Sequence, residues 1–153
     1  MRNKVTLSIV VLLLTGLLTA NLLADSKDDD IAEITDVIQK SYFNGASNEM
    51  DTKSMREGFH PDFAIFSPDG TTLKKYPIAK WIESTERYKA SPEFDKEEAK
   101  ADCKIVSLDV TGVCASAKTE EWHNGKLVYT DYLSLLKFEN GWKIVAKVYH
   151  KHE

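Results

Sequence analysis

The sequence predicts an α+β fold, with three N-terminal helices packed on a curved antiparallel sheet. Three observations carry that reading. Apolar residues recur at helical spacing between Ile31 and Tyr88, and the pattern changes to period two from Ala101 onward. Asn124-Gly125 and Asn140-Gly141 interrupt the alternating region. Asn-Gly is the strongest short-range hairpin signal, because both residues tolerate positive φ in a type I′ turn. Helices followed by a run of strands define the α+β layer architecture.

The elements follow in chain order. Asp30 is a candidate N-cap for a first helix, with Ile31, Ile34, Val37, Ile38 and Tyr42 on one face. The segment "NGASNE" ends it. Asp51 caps a short second helix over Thr52–Gly58 that turns Met55 to its apolar side. "FHPDFAIFSPDGTTL" reads as a strand, a Pro-Asp-Gly turn and an extended return, a short strand pair. Pro77 suits the first position of a third helix carrying Ile78, Trp81, Ile82 and Tyr88 in one stripe, and Pro92 closes it. A four-stranded meander follows, turned at Thr111-Gly112, Asn124-Gly125 and Asn140-Gly141.

Two-residue turns set the strand register. On this basis Val106, Ala117, Tyr132 and Tyr149 form one cross-strand row. Leu108, Ala115, Ser134 and Lys147 form the next on the same face, followed by Val110, Val113, Leu136 and Val145. The opposite face carries Lys118, Asp131 and His150 in one row, with Leu133, Leu135, Ile144, Ala146 and Val148 nearby. Cys103 and Cys114 then lie about 20 Å apart along the hairpin, at ~3.4 Å per residue. Bridged Cα atoms sit within ~7 Å. Two free thiols are expected.

The chain has 153 residues, enough for one domain. Its first 24 residues have a basic start, an apolar run and small residues near the end, the pattern of a secretory signal peptide. An uncleaved anchor is the alternative, since the apolar run is long enough to span a bilayer. Residues 25–30 form an acidic linker and 31–153 the folded domain. The expectation is export to a periplasmic or extracellular space, with no membrane attachment after cleavage. The net charge is −4, and no basic stretch is interleaved with aromatics, which argues against nucleic-acid binding. There is no Ser-His-Asp spacing, phosphate-binding glycine loop or zinc-type cysteine pair. No cofactor is expected. His150 and His152 alone make too few ligands for a metal.

Two stretches carry a family resemblance: "GFHPDFAIFSPDG" and "TDYLSLLKFENGWKIVAKVYH". With the element order, they resemble the NTF2-like superfamily, also described as SnoaL-like or ketosteroid-isomerase-like, and within it the subgroup labelled putative lumazine-binding. The resemblance implies a cone with a pocket between the helices and the concave sheet face, and dimerisation through the sheet. It also implies a test of this chain against the isomerase residues. An ungapped comparison sets Ser67 where those enzymes keep an aspartate base. It sets Phe43, with Tyr42 beside it, at the helix tyrosine, and Ser134 at a second, protonated aspartate. Enolate isomerisation then lacks its base and its oxyanion donors.

Since Ser134 matches a pocket aspartate, its face is taken as the inner one. The candidate ligand-binding residues are Tyr42, His60, Trp81, Tyr132, Ser134, Lys147 and Tyr149. A lysine in an apolar strand suits a small anionic or polar aromatic ligand; otherwise it snorkels to the rim or pairs with a carboxylate. His60 either acts as an acid/base or closes the turn after the second helix. Trp81 is a ligand platform or core. Should the faces be inverted, Asp131 lines the pocket and joins His60 as a catalytic candidate. The leading expectation is an exported domain that binds a small organic molecule without catalysis. The alternatives are an acid/base enzyme of dehydratase or isomerase type, and a module that dimerises through its outer sheet face.

Overall fold

The computed structural model describes residues 27–97 and 99–153; the expected signal peptide lies outside them. The chain divides into two units, Met1–Ala32 and Glu33–Glu153. The second unit holds the sheet and the site. Residues 27–37 are α-helical, including part of the expected acidic linker, and Ile38–Asn48 are wound as π-helix; together they form α1. The other elements are α2 (Thr52–Gly58), β1 (Phe59–Asp69), β2 (Thr72–Pro77), α3 (Ile78–Lys89), β3 (Asp102–Thr111), β4 (Cys114–His123), β5 (Lys126–Phe138) and β6 (Gly141–Lys151). Among the described residues, no helix is long and apolar enough to cross a membrane.

Among the described residues the fold is α+β, with three helices and one mixed six-stranded sheet in the order β2-β1-β6-β5-β4-β3. Two helices precede the first strand and α3 follows β2, the order in which the sequence lays out its elements. One correction to the expected architecture follows. The sheet is not wholly antiparallel, because β1 runs parallel to β6, with Ile65 beside Lys147. A parallel pair needs a long crossover, supplied here by the chain from β2 through β5. No local sequence signal announces a partner that far away.

The helices bury most of the stripes their sequences carry; in α3, Ile78 and Ile82 are buried while Tyr88, expected in the same stripe, is exposed. Ile34, Ile38 and Tyr42, four residues apart, are all buried. The π-winding widens the buried face to include Phe43. Asp51 caps α2 as expected: its Oδ1 accepts from the Lys53 amide at 3.1 Å and its Oδ2 from the Ser54 hydroxyl at 2.6 Å. The Ser54 bond holds the Asp51 carboxyl below its ordinary range. Pro77 is the N-cap of α3 rather than its first residue. The core lies between these helices and one face of the sheet. It is rich in aromatics: Phe59 meets Phe63 at 4.7 Å and Trp81 at 5.6 Å between ring centroids.

The meander exists as predicted, but its register differs. Asn124-Gly125 is a two-residue loop with both φ positive, as expected. The other two loops are each displaced by one residue: Gly112-Val113 turns β3 into β4, and Glu139-Asn140 turns β5 into β6. Val106, Val128 and Val145 are the extra residues at three register shifts. Side chains alternate with period two, so each one-residue slip inverts the face beyond it. The inner rows are therefore Val110–Ala115–Leu135–Ile144, Leu108–Ala117–Leu133–Lys147 and Thr119–Asp131–Tyr149. Leu133, Leu135 and Ile144, expected outside, are buried. Tyr132, Ser134 and Leu136, expected inside, are exposed. Cys103 now pairs with Glu121 and Cys114 with Thr111, and both thiols are free.

Candidate binding pocket

The inner face changes character along its length. Toward the β5–β6 turn it buries Trp142, Ile144 and Leu135. One row on stands Lys147, and one row further Asp131. Both are buried, at 8% and 1% exposure, so the pair is shielded from water on every side but the cavity. Lys147 Nζ lies 2.9 Å from Asp131 Oδ1, in ion-pair contact without hydrogen-bond geometry. It donates to the Tyr42 hydroxyl at 2.7 Å, and Tyr42 donates to Asp131 Oδ2 at 2.7 Å. These three groups close a ring of contacts drawn from α1, β5 and β6. Burial, followed by the Asp131 charge, pushes the Tyr42 phenol well above its ordinary range, so it remains a proton donor.

Around the ammonium stand three aromatic rings, with centroids at 4.9 Å (Tyr42), 5.4 Å (Trp81) and 5.4 Å (Tyr149). Ring faces stabilise a desolvated cation, which reduces the cost of holding Lys147 inside. An ammonium has three protons. Tyr42 takes one and Asp131 attracts a second, which leaves donor capacity for a guest.

These residues form the floor and walls of a cavity of about 450 Å³. Tyr42, Trp81, Lys147 and Tyr149 line it, joined by Ser67, Ile65 and Tyr76 from the β1–β2 side. Glu121 and Tyr129 complete the wall toward the far end of the sheet. The volume falls within the usual range for small-molecule pockets, and the lining combines aromatics with a few convergent polar groups.

The structure brings together Tyr42, Trp81, Lys147 and Tyr149 from the sequence candidates, and adds Asp131 beneath them. Tyr132 and Ser134 stand on the opposite face, because the Val128 bulge inverts β5 before it reaches them. His60 lies in a separate cleft, stacked on Phe138 at 4.9 Å and neighboured by Arg56 and Lys143. Tyr42 and Asp131, rather than Phe43 and Ser134, supply a helix phenol and a strand carboxylate to the cone. They lie one and three positions from the residues of the ungapped comparison. Glu121, Tyr129, Ser67 and Tyr76 were not among the sequence candidates. One signal was present for the central pair: two opposite charges, each set in an apolar strand and adjacent in a hairpin, have reason to meet.

The chain matches the family described as "Putative lumazine-binding" over residues 29–150. It is 30% identical over 123 residues to the protein named Aldolase FrzH of a Cladobotryum species, covering 79% of this chain and 93% of that one. An NTF2-like protein of unknown function from Shewanella baltica OS155 superposes with TM-score 0.64 at 29% identity, over 82% of this chain and 95% of that chain. Another, from Methylobacillus flagellatus KT, gives TM-score 0.61 at 30% identity, over 82% and 94%. The chain is an NTF2-like protein and belongs to the lumazine-binding-like family of that superfamily.

Proposed function

We propose that the cone binds a small, carbonyl-bearing aromatic molecule, with the carbonyl oxygen on Lys147 and the ring among Tyr42, Trp81 and Tyr149. The observation that carries this reading is a buried ammonium with spare donor capacity, held between aromatic rings at the floor of an open cavity. Asp131 already balances the Lys147 charge, so a neutral acceptor suits the floor better than an anion. The family's description, which names a heteroaromatic ligand, points the same way.

A second reading is favoured by one observation. Lys147 keeps donor capacity toward the cavity, which would also stabilise an enolate oxygen. Similarity to a protein named an aldolase supports acid/base chemistry on a carbonyl compound. Asp131 is shut off by its own contacts and would position Lys147 rather than touch substrate.

Acetophenone and ethylbenzene differ in the carbonyl alone and make the test. Their affinities are measured by quenching of Trp81 fluorescence, with Trp81→Phe as control. Replacing the buried pair together, Lys147→Met with Asp131→Leu, is expected to reduce the preference for acetophenone at least ten-fold. An unchanged preference would sink the binding reading. Deuterium uptake at the methyl carbon of acetophenone in heavy water, lost in the same variant, would establish the second reading; no uptake would reject it.

We also propose that two copies pair through the outer sheet face. Tyr132 and Val148 are neighbours there, at 52% and 49% exposure, and Val106 on β3 is exposed at 48%.

A further inference from the structure

The cavity wall carries a half-buried charge that the floor does not use. Glu121 lines the wall, and its side chain is only 16% exposed. Its Oε1 lies 2.8 Å from His123 Nε2, and its Oε2 accepts a long bond of 3.3 Å from the Ser47 hydroxyl. A carboxylate offers about four acceptor positions, so these two partners leave capacity directed into the cavity. After burial itself, Glu121 is the next cause raising both the Cys103 thiol, to about 12, and the Tyr129 phenol. Its negative field therefore reaches β3 and β5 alike.

Position gives this charge a meaning. Asp131 pairs with Thr119 on β4, and Glu121 is two residues along the same face. Diagonal neighbours of that kind stand roughly 7–8 Å apart between Cα atoms. Lys147 reaches back to the Asp131 row with its ammonium. The donor at the floor and the carboxylate on the wall thus stand on one face of the sheet, in neighbouring rows. Of the charged residues lining the cavity, Lys147 is balanced by Asp131 beneath it, Lys74 stands on β2, and Glu121 is the carboxylate.

We infer that the ligand is bifunctional, with a carbonyl at one end for Lys147 and an amine at the other for Glu121, and that Glu121 determines specificity. This rests on the proposed binding reading and adds the amine. A guest ammonium would compete with His123 for Oε1 and gain a charge-assisted bond in a site shielded from water.

The probe is 4-(aminomethyl)acetophenone, whose para substituents hold the two groups a ring apart, compared with acetophenone and benzylamine. On the intact protein the bifunctional compound is expected to bind at least ten-fold more tightly than either. Glu121→Gln keeps the shape and an acceptor for Ser47. It should cut the gain over acetophenone, both affinities being measured on the variant, to within about two-fold. His123→Ala should preserve or increase the gain. No gain in the unmodified protein, or a gain that survives Glu121→Gln, would overturn the inference. Those outcomes leave the carbonyl preference intact, so they are distinct from failure of the binding reading, which removes acetophenone selectivity itself.

Discussion

Lys147 and Asp131 carry the residue-scale argument. Each ion alone would be stranded in a nearly dry place, and removing one partner of a buried pair costs roughly 3–5 kcal/mol. Lys147→Met should therefore destabilise by about that amount, because Asp131, at 1% exposure, loses its countercharge. Adding Asp131→Leu should recover most of the loss, since apolar replacement of a whole buried pair is often neutral. Denaturant unfolding of the two single variants and the double variant measures the coupling. Additive losses would mean that the two charges are independently solvated. The presence of Lys147 as an anomaly could be read from its apolar strand. Its partner could not, because Asp131 comes to β6 only after the Val145 bulge resets the register.

At the scale of elements, the closest packing joins α2 to α1. A Cβ placed on Gly58 would overlap the Ser41 side chain in the π-helical part of α1. Gly58→Ala is expected to destabilise by about 1–3 kcal/mol, the usual cost of overpacking, seen as a lower thermal midpoint. A midpoint equal to that of the parent would show that α1 can move away. Gly58→Ala would also press on the element that holds Tyr42. The elements themselves were legible in the sequence: the Asp51 cap, Ile78 and Ile82 of the α3 stripe and the Asn124-Gly125 turn all stand where the pattern put them. The π-winding of Ile38–Asn48 was not, because its apolar spacing fits an ordinary helix equally well. Nor were the bulges at Val106, Val128 and Val145. Valine alternates normally in a strand, and nothing local marks it as the extra residue.

At the scale of the whole molecule, one sheet separates two surfaces. The inner one closes over the cavity, and the outer one exposes Tyr132, Val148, Val106 and Leu136. Light scattering on the purified protein is expected to give twice the monomer mass, and Tyr132→Glu to return it to the monomer. A monomeric parent at micromolar concentration would reject pairing through this face. The sequence by itself determined the class of fold, the order of its elements and the family, because hydrophobic period and turn chemistry are local properties written in consecutive residues. Only the tertiary structure decided which residues face the cavity. That choice depends on the parity of the register, which three single-residue bulges invert, and on the parallel contact of β1 with β6, which no nearby residue encodes. Lys147 kept its inward place through these changes, while its neighbour across the hairpin became Leu133 and its true partner Asp131.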